Sequence, residues 1–271
     1  RIASMNFGGK ALNHFQTQLS RYTGVSHFTC PANLNNDEIN QWKTKLKKYN
    51  CIILYNNEAT NNPAKNFGYS DDLSRFISSM PDKRIILCHP GTPYGLKNYV
   101  PIPMDAILLN YEKNLYAEQA IFGGISIQGK LPVSINSRYP SGFSLKTAKN
   151  RLGYQTPEMC GISSGQLTEI DSLCEMAIRT KATPGCQVLV AKDGYVLYNK
   201  AFGYNTYKKE VPNHTSNIYD LASVTKITAT LPAVMKLYDE GKIELDSSLS
   251  NYYTVLKTTN KKDMTVREVL Y

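Results

Sequence analysis

No apolar run in this 271-residue chain reaches the length needed to cross a bilayer, so no membrane-spanning helix is expected from it. None of its six cysteines falls in a C-x-x-C pair, which argues against a zinc knuckle or a thioredoxin-like redox motif. A zinc finger, an RRM-type aromatic motif and a basic helical repeat are all missing, so nucleic acid has little support as a partner. No internal repeat occurs at solenoid periods. Nothing in the pattern asks for a cofactor or a metal ion. An initiator methionine and a signal peptide are missing too. The chain starts Arg1-Ile-Ala-Ser, which reads as a strand, and stops at Tyr271 inside MTVREVLY, which reads as a helix still in progress. Both ends read as cut, so the expectation is a fragment of a longer protein, and missing targeting signals carry no weight.

What is present is enough apolar content for a packed core. The sequence is 42% apolar and 20% charged, unlike a disordered chain. The formal net charge of +9 is spread along the chain, with dense clusters only at Lys43 to Lys48 and Lys257 to Lys262. That spread reads as a solvated basic surface. The cysteines, at 30, 51, 88, 160, 174 and 186, mostly sit in or beside apolar runs and read as buried thiols acting as small apolar residues.

Residues 1–135 alternate between two periods. Runs apolar on both faces occur at 2–7, 25–30, 51–56, 84–89 and 106–111, as expected for parallel strands covered on both sides. Between them lie helical patterns at roughly 10–21, 37–49, 71–80 and 114–123. Asn36 or Asp37 is placed to cap the second, and Ser70 the third. This β-α-β-α rhythm predicts an open α/β/α sandwich with ligands beyond the carboxyl ends of the strands, at Gly8-Gly9, Asn56-Asn57 and His89-Pro90-Gly91. Residues 136–160 are polar, rich in Ser, Gly and Pro, and read as a linker or strap. A second unit, 161–271, opens with an amphipathic helix over 161–181, carrying Leu167, Ile170, Leu173, Cys174 and Ile178 on one face. Pro184-Gly185 breaks it, and CQVLVAKDGYVLYNKAFG then reads as a hairpin turning at Asp193-Gly194.

Next comes YDLASVTKITATLPAVMKLYDEGKIELD, residues 219–246. A helix starting near Ser223, with Asp220 as a cap and Gly241 as a stop, puts Ser223 and Lys226 on one face. Serine is a poor nucleophile until a base takes its proton, and lysine can be that base where its surroundings favour the neutral amine. A serine at a helix N-terminus also has a backbone N–H free to donate to an oxyanion. The plain alternative is a capping serine and a solvated lysine, and the four letters S-x-x-K do not decide between them. Ile227, Leu231, Val234, Met235 and Tyr238 form the stripe expected to face a core. Pro232, inside the pattern, is expected to kink the helix or break one hydrogen bond.

From PGCQVLVAKDGYVLYNKAFGYNTYKKE through YDLASVTKITATLPAVMKLYDEGKIELDSSLSNYY, the chain resembles the serine β-lactamase and penicillin-binding-protein-like family, in its class C and D-alanyl-D-alanine carboxypeptidase branch. The resemblance implies a partial α+β domain, with Ser223 as the acylated nucleophile, Lys226 as its proton-handling partner and the Ser223 N–H as half of an oxyanion hole. The family also needs a Tyr-x-Asn loop and a Lys- or His-x-Gly strand further on. Tyr252 and Tyr253 do not supply the first, and TVREVLY resembles the point just before the family's His-x-Ser-Gly stretch. This chain alone is therefore not expected to turn over substrate.

A second resemblance rests on Gly91-Thr92-Pro93-Tyr94 after a strand, Asn110-Tyr111-Glu112 at a strand end, then AEQAIFGG and GKLPVSI. These resemble the C-terminal α/β sandwich of glycoside hydrolase family 3, in its bacterial β-N-acetylhexosaminidase branch. The catalytic TIM barrel of that family would lie outside this chain. Glu112 and His89 are weak catalytic candidates: a lone strand-end carboxylate reads as a surface or capping residue, and His89 as a turn residue. Together the resemblances imply a bifunctional bacterial cell-wall hydrolase, extracytoplasmic and either periplasmic or outer-membrane-associated. Its partners would be peptidoglycan-derived glycan or peptide, or a β-lactam-like small molecule. A non-catalytic peptidoglycan-binding module is the alternative.

Overall fold

The computed structural model describes residues 1–111 and 116–271. They form two compact units, 1–215 and 216–271. No described helix is long and apolar enough to cross a membrane.

The first unit is built on five parallel strands in the order β2-β1-β3-β4-β5. Their ranges are β1 Ile2–Phe7, β2 Val25–Cys30, β3 Cys51–Asn56, β4 Arg84–His89 and β5 Ala106–Leu109, close to the five apolar runs. Alternation along the strands splits the core in two. Met5, Phe7, Ile52, Leu54, Ile85 and Leu87 point to one face, where α2 (Asn36–Leu46) and α3 (Asp71–Ser78) cover them with Ile39, Leu46, Leu73 and Phe76. Ile53, Tyr55 and Cys88 point to the other, toward Phe15 and Leu19 of α1 (His14–Leu19) and Ala117 of α4 (Ala117–Phe122). Strands covered on both faces have no polar side to present, which is why they read as unbroken apolar runs. Each fully buried Leu, Ile or Phe contributes about 1.5–3 kcal/mol of transfer free energy. The fold is thus a three-layer α/β sandwich, as the sequence rhythm predicts.

The caps follow the sequence, with one shift. Ser70 Oγ accepts from the Leu73 N–H at 3.2 Å, as expected. For α2 the cap is Asn35, one residue before the expected position. Its Oδ1 accepts from the Glu38 N–H, and Glu38 accepts from the Asn35 N–H in return.

The same unit carries a smaller sheet in the order β6-β8-β7, from β6 (Gly153–Tyr154), β7 (Gly185–Lys192) and β8 (Tyr195–Gly203). β6 comes from the stretch read as a linker and pairs in parallel with β8. The β7–β8 hairpin turns where expected, with Asp193 at φ 54° and Gly194 at φ 79°. Positive φ at both central residues is what a tight two-residue turn matched to strand twist requires. α5 (Ser164–Arg179) precedes the hairpin and is capped by Ser163. Leu173 departs from its expected core face and is exposed, whereas Cys174, beside it, is buried. The helix meets the hairpin through Asp171, Cys174 and Ile178, and Leu173 is rotated off that stripe. All six cysteines are free thiols, but only Cys30, Cys88 and Cys174 are buried and the others are partly exposed.

The second unit contains α6 (Leu231–Asp239) and α7 (Val266–Leu270). α6 ends as the sequence suggests. Gly241 takes φ 66°, its N–H reaches the Tyr238 carbonyl at 2.9 Å, and the Lys242 N–H reaches that of Leu237 at 2.8 Å. This paired closure satisfies two carbonyls the helix would otherwise leave open. α7 is tied back by Arg267, which donates to both oxygens of Asp246 at 2.7 and 3.0 Å. The stripe expected to be core-facing is not: Ile227, in the turn before α6, and Leu231, Met235 and Tyr238 of α6 are exposed, and Val234 is half-buried. The described elements of residues 216–271 are two short helices and single turns, too little to form an opposing layer for that stripe.

Candidate active site

Asp220 and Ala222 shape the approach to Ser223. Asp220 Oδ1 accepts from the Ala222 N–H at 2.9 Å, which tightens the turn before the serine. Ala222 takes a left-handed backbone at φ 43°. For a residue with a Cβ this costs about 1–2 kcal/mol. The chain then winds into a helix. Val224, Thr225 and Lys226 donate to the carbonyls of Leu221, Ala222 and Ser223 at 2.9, 3.1 and 3.0 Å. Ser223 stands at the start of this helix, where backbone N–H groups lack an intrahelical acceptor.

The helical spacing brings the two candidate residues together. Lys226 Nζ lies 3.0 Å from Ser223 Oγ, within hydrogen-bond distance. Both side chains are exposed. Asp220, expected as a cap, thus shapes the turn before Ser223. From Lys226 to Thr230 the helix widens into a π turn, with the Leu231 N–H donating to the Lys226 carbonyl five residues back. Pro232 follows within the first turn of α6. It has no N–H, and in a regular helix its ring would press on the carbonyl of Thr228. The sequence predicts a lost bond or a kink; what occurs is a widened turn beginning at Lys226. Such turns recur at functional positions in helices.

The other candidates fall elsewhere. His89 ends β4 and is fully buried. Its Nδ1 lies 3.4 Å from Asn56 Nδ2, and among the described residues its Nε2 has no hydrogen-bond partner. Burial lowers its pKa from 6.5 to about 4, only partly opposed by the Thr92 backbone. It is a core imidazole at the end of a strand, where the sequence reads a turn residue. Glu112 lies outside the described residues.

Two groupings escaped the sequence reading. At the carboxyl ends of the strands Asn57, Glu58, Lys65, Pro90 and Tyr111 line a polar cleft of about 520 Å³. Its place was foreseen from Asn56-Asn57 and His89-Pro90, but Glu58 and Lys65 stand on loops with no pattern to mark them. Asp171 of α5 accepts hydrogen bonds from Lys200, at 2.8 Å, and from the Tyr198 hydroxyl. The Lys200 and Tyr198 bonds hold its carboxyl below the usual range. Neither partner is near Asp171 in sequence, so only the fold reveals the group.

Comparison with known proteins agrees with the serine motif. The family model for beta-lactamase matches residues 170–271. Protein flp of Staphylococcus aureus strain NCTC 8325 / PS 47 is 30% identical over 105 residues, 38% of this chain and 21% of its own length. A Salmonella paratyphi A protein, provisionally named a D-alanyl-D-alanine carboxypeptidase, is 32% identical over 109 residues, 38% of this chain and 25% of its own length. The chain spans between a fifth and a quarter of these relatives. Residues 170–271, which include Ser223 and Lys226, are thus β-lactamase-like, and that family points to hydrolase chemistry.

Proposed function

We propose that residues 161–271 carry the nucleophile of an S-x-x-K serine hydrolase of the β-lactamase, D-Ala-D-Ala carboxypeptidase or esterase type. The observation that carries this reading is the 3.0 Å contact between Lys226 Nζ and Ser223 Oγ at the start of a helix. Ser223 Oγ attacks the carbonyl carbon of an amide, ester or β-lactam while Lys226 takes its proton. The Ser223 N–H, at the helix start, donates to the oxyanion that forms. Collapse of that intermediate transfers the proton to the leaving group and leaves an acyl-serine, which water then hydrolyses. The whole protein joins this hydrolase to a family 3 β-N-acetylglucosaminidase, of which residues 1–135 are the C-terminal sandwich and 136–160 the connector. Both substrates occur in peptidoglycan, which supports an extracytoplasmic site of action in a bacterium.

A non-catalytic peptidoglycan-binding role is the second reading, favoured by the exposure of Ser223 and Lys226 in this chain. Hydrolysis of a chromogenic cephalosporin and of a short-chain ester by a version extended past Tyr271 separates the two. Turnover of either substrate that is lost in Ser223→Ala supports the hydrolase. Equal rates with and without Ser223 leave only the binding role.

A further inference from the structure

The two strands of the β7–β8 hairpin present one shared face toward α5. Cys186 stands opposite Phe202, Val188 opposite Lys200, and Val190 opposite Tyr198. Residues directly opposite in an antiparallel pair lie on the same side of the sheet. α5 lies over that side, because its Asp171 is bonded to Tyr198 and Lys200. A methyl group built on Gly203, next to Phe202, would come within 2.9 Å of Ile178 Cδ1. Asp171, Cys174 and Ile178 form one helical stripe, so the contacts of Asp171 and Ile178 bracket Cys174 over the hairpin. Cys174 is 8% exposed and Cys186 is partly exposed. Burial and the neighbouring Cys174 thiol together push the Cys186 thiol up to about 11. Tyr198, on the same face, is within electrostatic reach of both thiols. Cys160 lies at the other end of β7, where its carbonyl accepts from Lys192.

We propose that Cys174 and Cys186 form a reversible disulfide that staples α5 to the hairpin. Each thiol gives up its proton and one electron as the S–S bond forms. The two electrons pass to an external disulfide, small-molecule or protein-borne, whose own S–S bond breaks to two thiols. One cysteine thiolate attacks that disulfide to give a mixed disulfide, and the second displaces the leaving thiol. Exchange runs through a thiolate, so closure is faster at alkaline pH. The bond closes a loop of about a dozen residues and raises the unfolding midpoint by on the order of 5–10 °C.

Overnight incubation of the folded chain with oxidised glutathione, alkylation, then digestion with trypsin and a glutamyl endopeptidase tests this. The digestion separates the three cysteines of this region, with Cys160 in peptide 159–169, Cys174 in 170–175 and Cys186 in 182–192. A cross-linked pair of 170–175 with 182–192 that dithiothreitol releases is the expected result. Recovery of either cysteine as a free thiol, as a glutathione adduct, or joined to another cysteine overturns the proposal. Cys186→Ser provides the second measurement. Its melting midpoint is expected to be the same with and without oxidant, and an oxidant-dependent rise that survives the substitution assigns the effect to other cysteines.

Discussion

Ser223 and Lys226 meet because three residues of helix bring a serine and a lysine onto one face, and the left-handed Ala222 sets where that helix begins. The amine has two separable tasks, to hold the hydroxyl and to take its proton. Lys226→Arg retains a donor but cannot accept a proton in the working pH range. In a protein extended past Tyr271, both Lys226→Arg and Lys226→Ala are therefore expected to slow acylation by about 10²–10⁴-fold. Stopped-flow acylation kinetics read this, and near-normal rates for the arginine variant would reduce Lys226 to a positioning role. His89 gives a separate, pH-dependent signal. Its folded pKa of about 4 lies below the 6.5 of a free imidazole. The unfolded chain thus binds a proton at a pH where the folded one does not. Stability is full above pH 6.5, falls as pH drops, and has lost on the order of 3 kcal/mol once pH passes below 4. Burial lowers the pKa of His27 in the same direction, adding to the slope. Urea midpoints between pH 7.5 and 4 measure the loss, which is expected to be shallower in His89→Gln. That Ser223 and Lys226 meet was legible from their spacing, but the burial of His89 was not. His-Pro-Gly after a strand reads as a turn, and only packing against Asn56 and Tyr99 places it inside.

Elements differ in how far the sequence announces them. The five strands of the large sheet were readable almost to the residue, because burial on both faces demands unbroken apolar runs. The hairpin was readable because Asp193-Gly194 adopts positive φ cheaply. The stripe on α6 was misread, since apolar periodicity reports what a helix can bury and not whether a partner layer is present. The π turn was half legible: Pro232 warns that a bond is lost but not that the chain will widen at Lys226. The close contact of α5 with β8 was invisible to periodicity, yet it has the sharpest mutational consequence. Gly203 sits at φ 67°, where a Cβ would lie 2.4 Å from the Pro184 carbonyl and 2.9 Å from Ile178. Gly203→Ala is expected to cost about 2 kcal/mol or more through left-handed strain and displaced packing. Gly241→Ala, with open space around its Cβ, costs about 1 kcal/mol from strain alone. Chemical denaturation of the two variants checks both the size and the order of the effects.

At the level of the whole molecule, residues 1–215 and 216–271 are distinct compact units. The larger contains the double-faced core and both sheets, so a chain ending at Thr215 is expected to fold alone. A cooperative urea transition, with strong hydrogen-exchange protection in β1, β3 and β4, is the expected result. A non-cooperative transition would show that the first unit depends on residues 216–271. The serine lies in the smaller unit, where a long apolar stripe is exposed and the relatives extend well beyond the length matched here. Intact mass reads whether Ser223 is an acylatable nucleophile. A reactive penicillin is incubated with the chain as it stands, with a version extended past Tyr271 and with the Ser223→Ala form of that version. One penicilloyl adduct is expected on the extended protein, none on its Ser223→Ala form, and an unmodified species near 30.4 kDa for the chain itself. An adduct that persists without Ser223 would contradict that role.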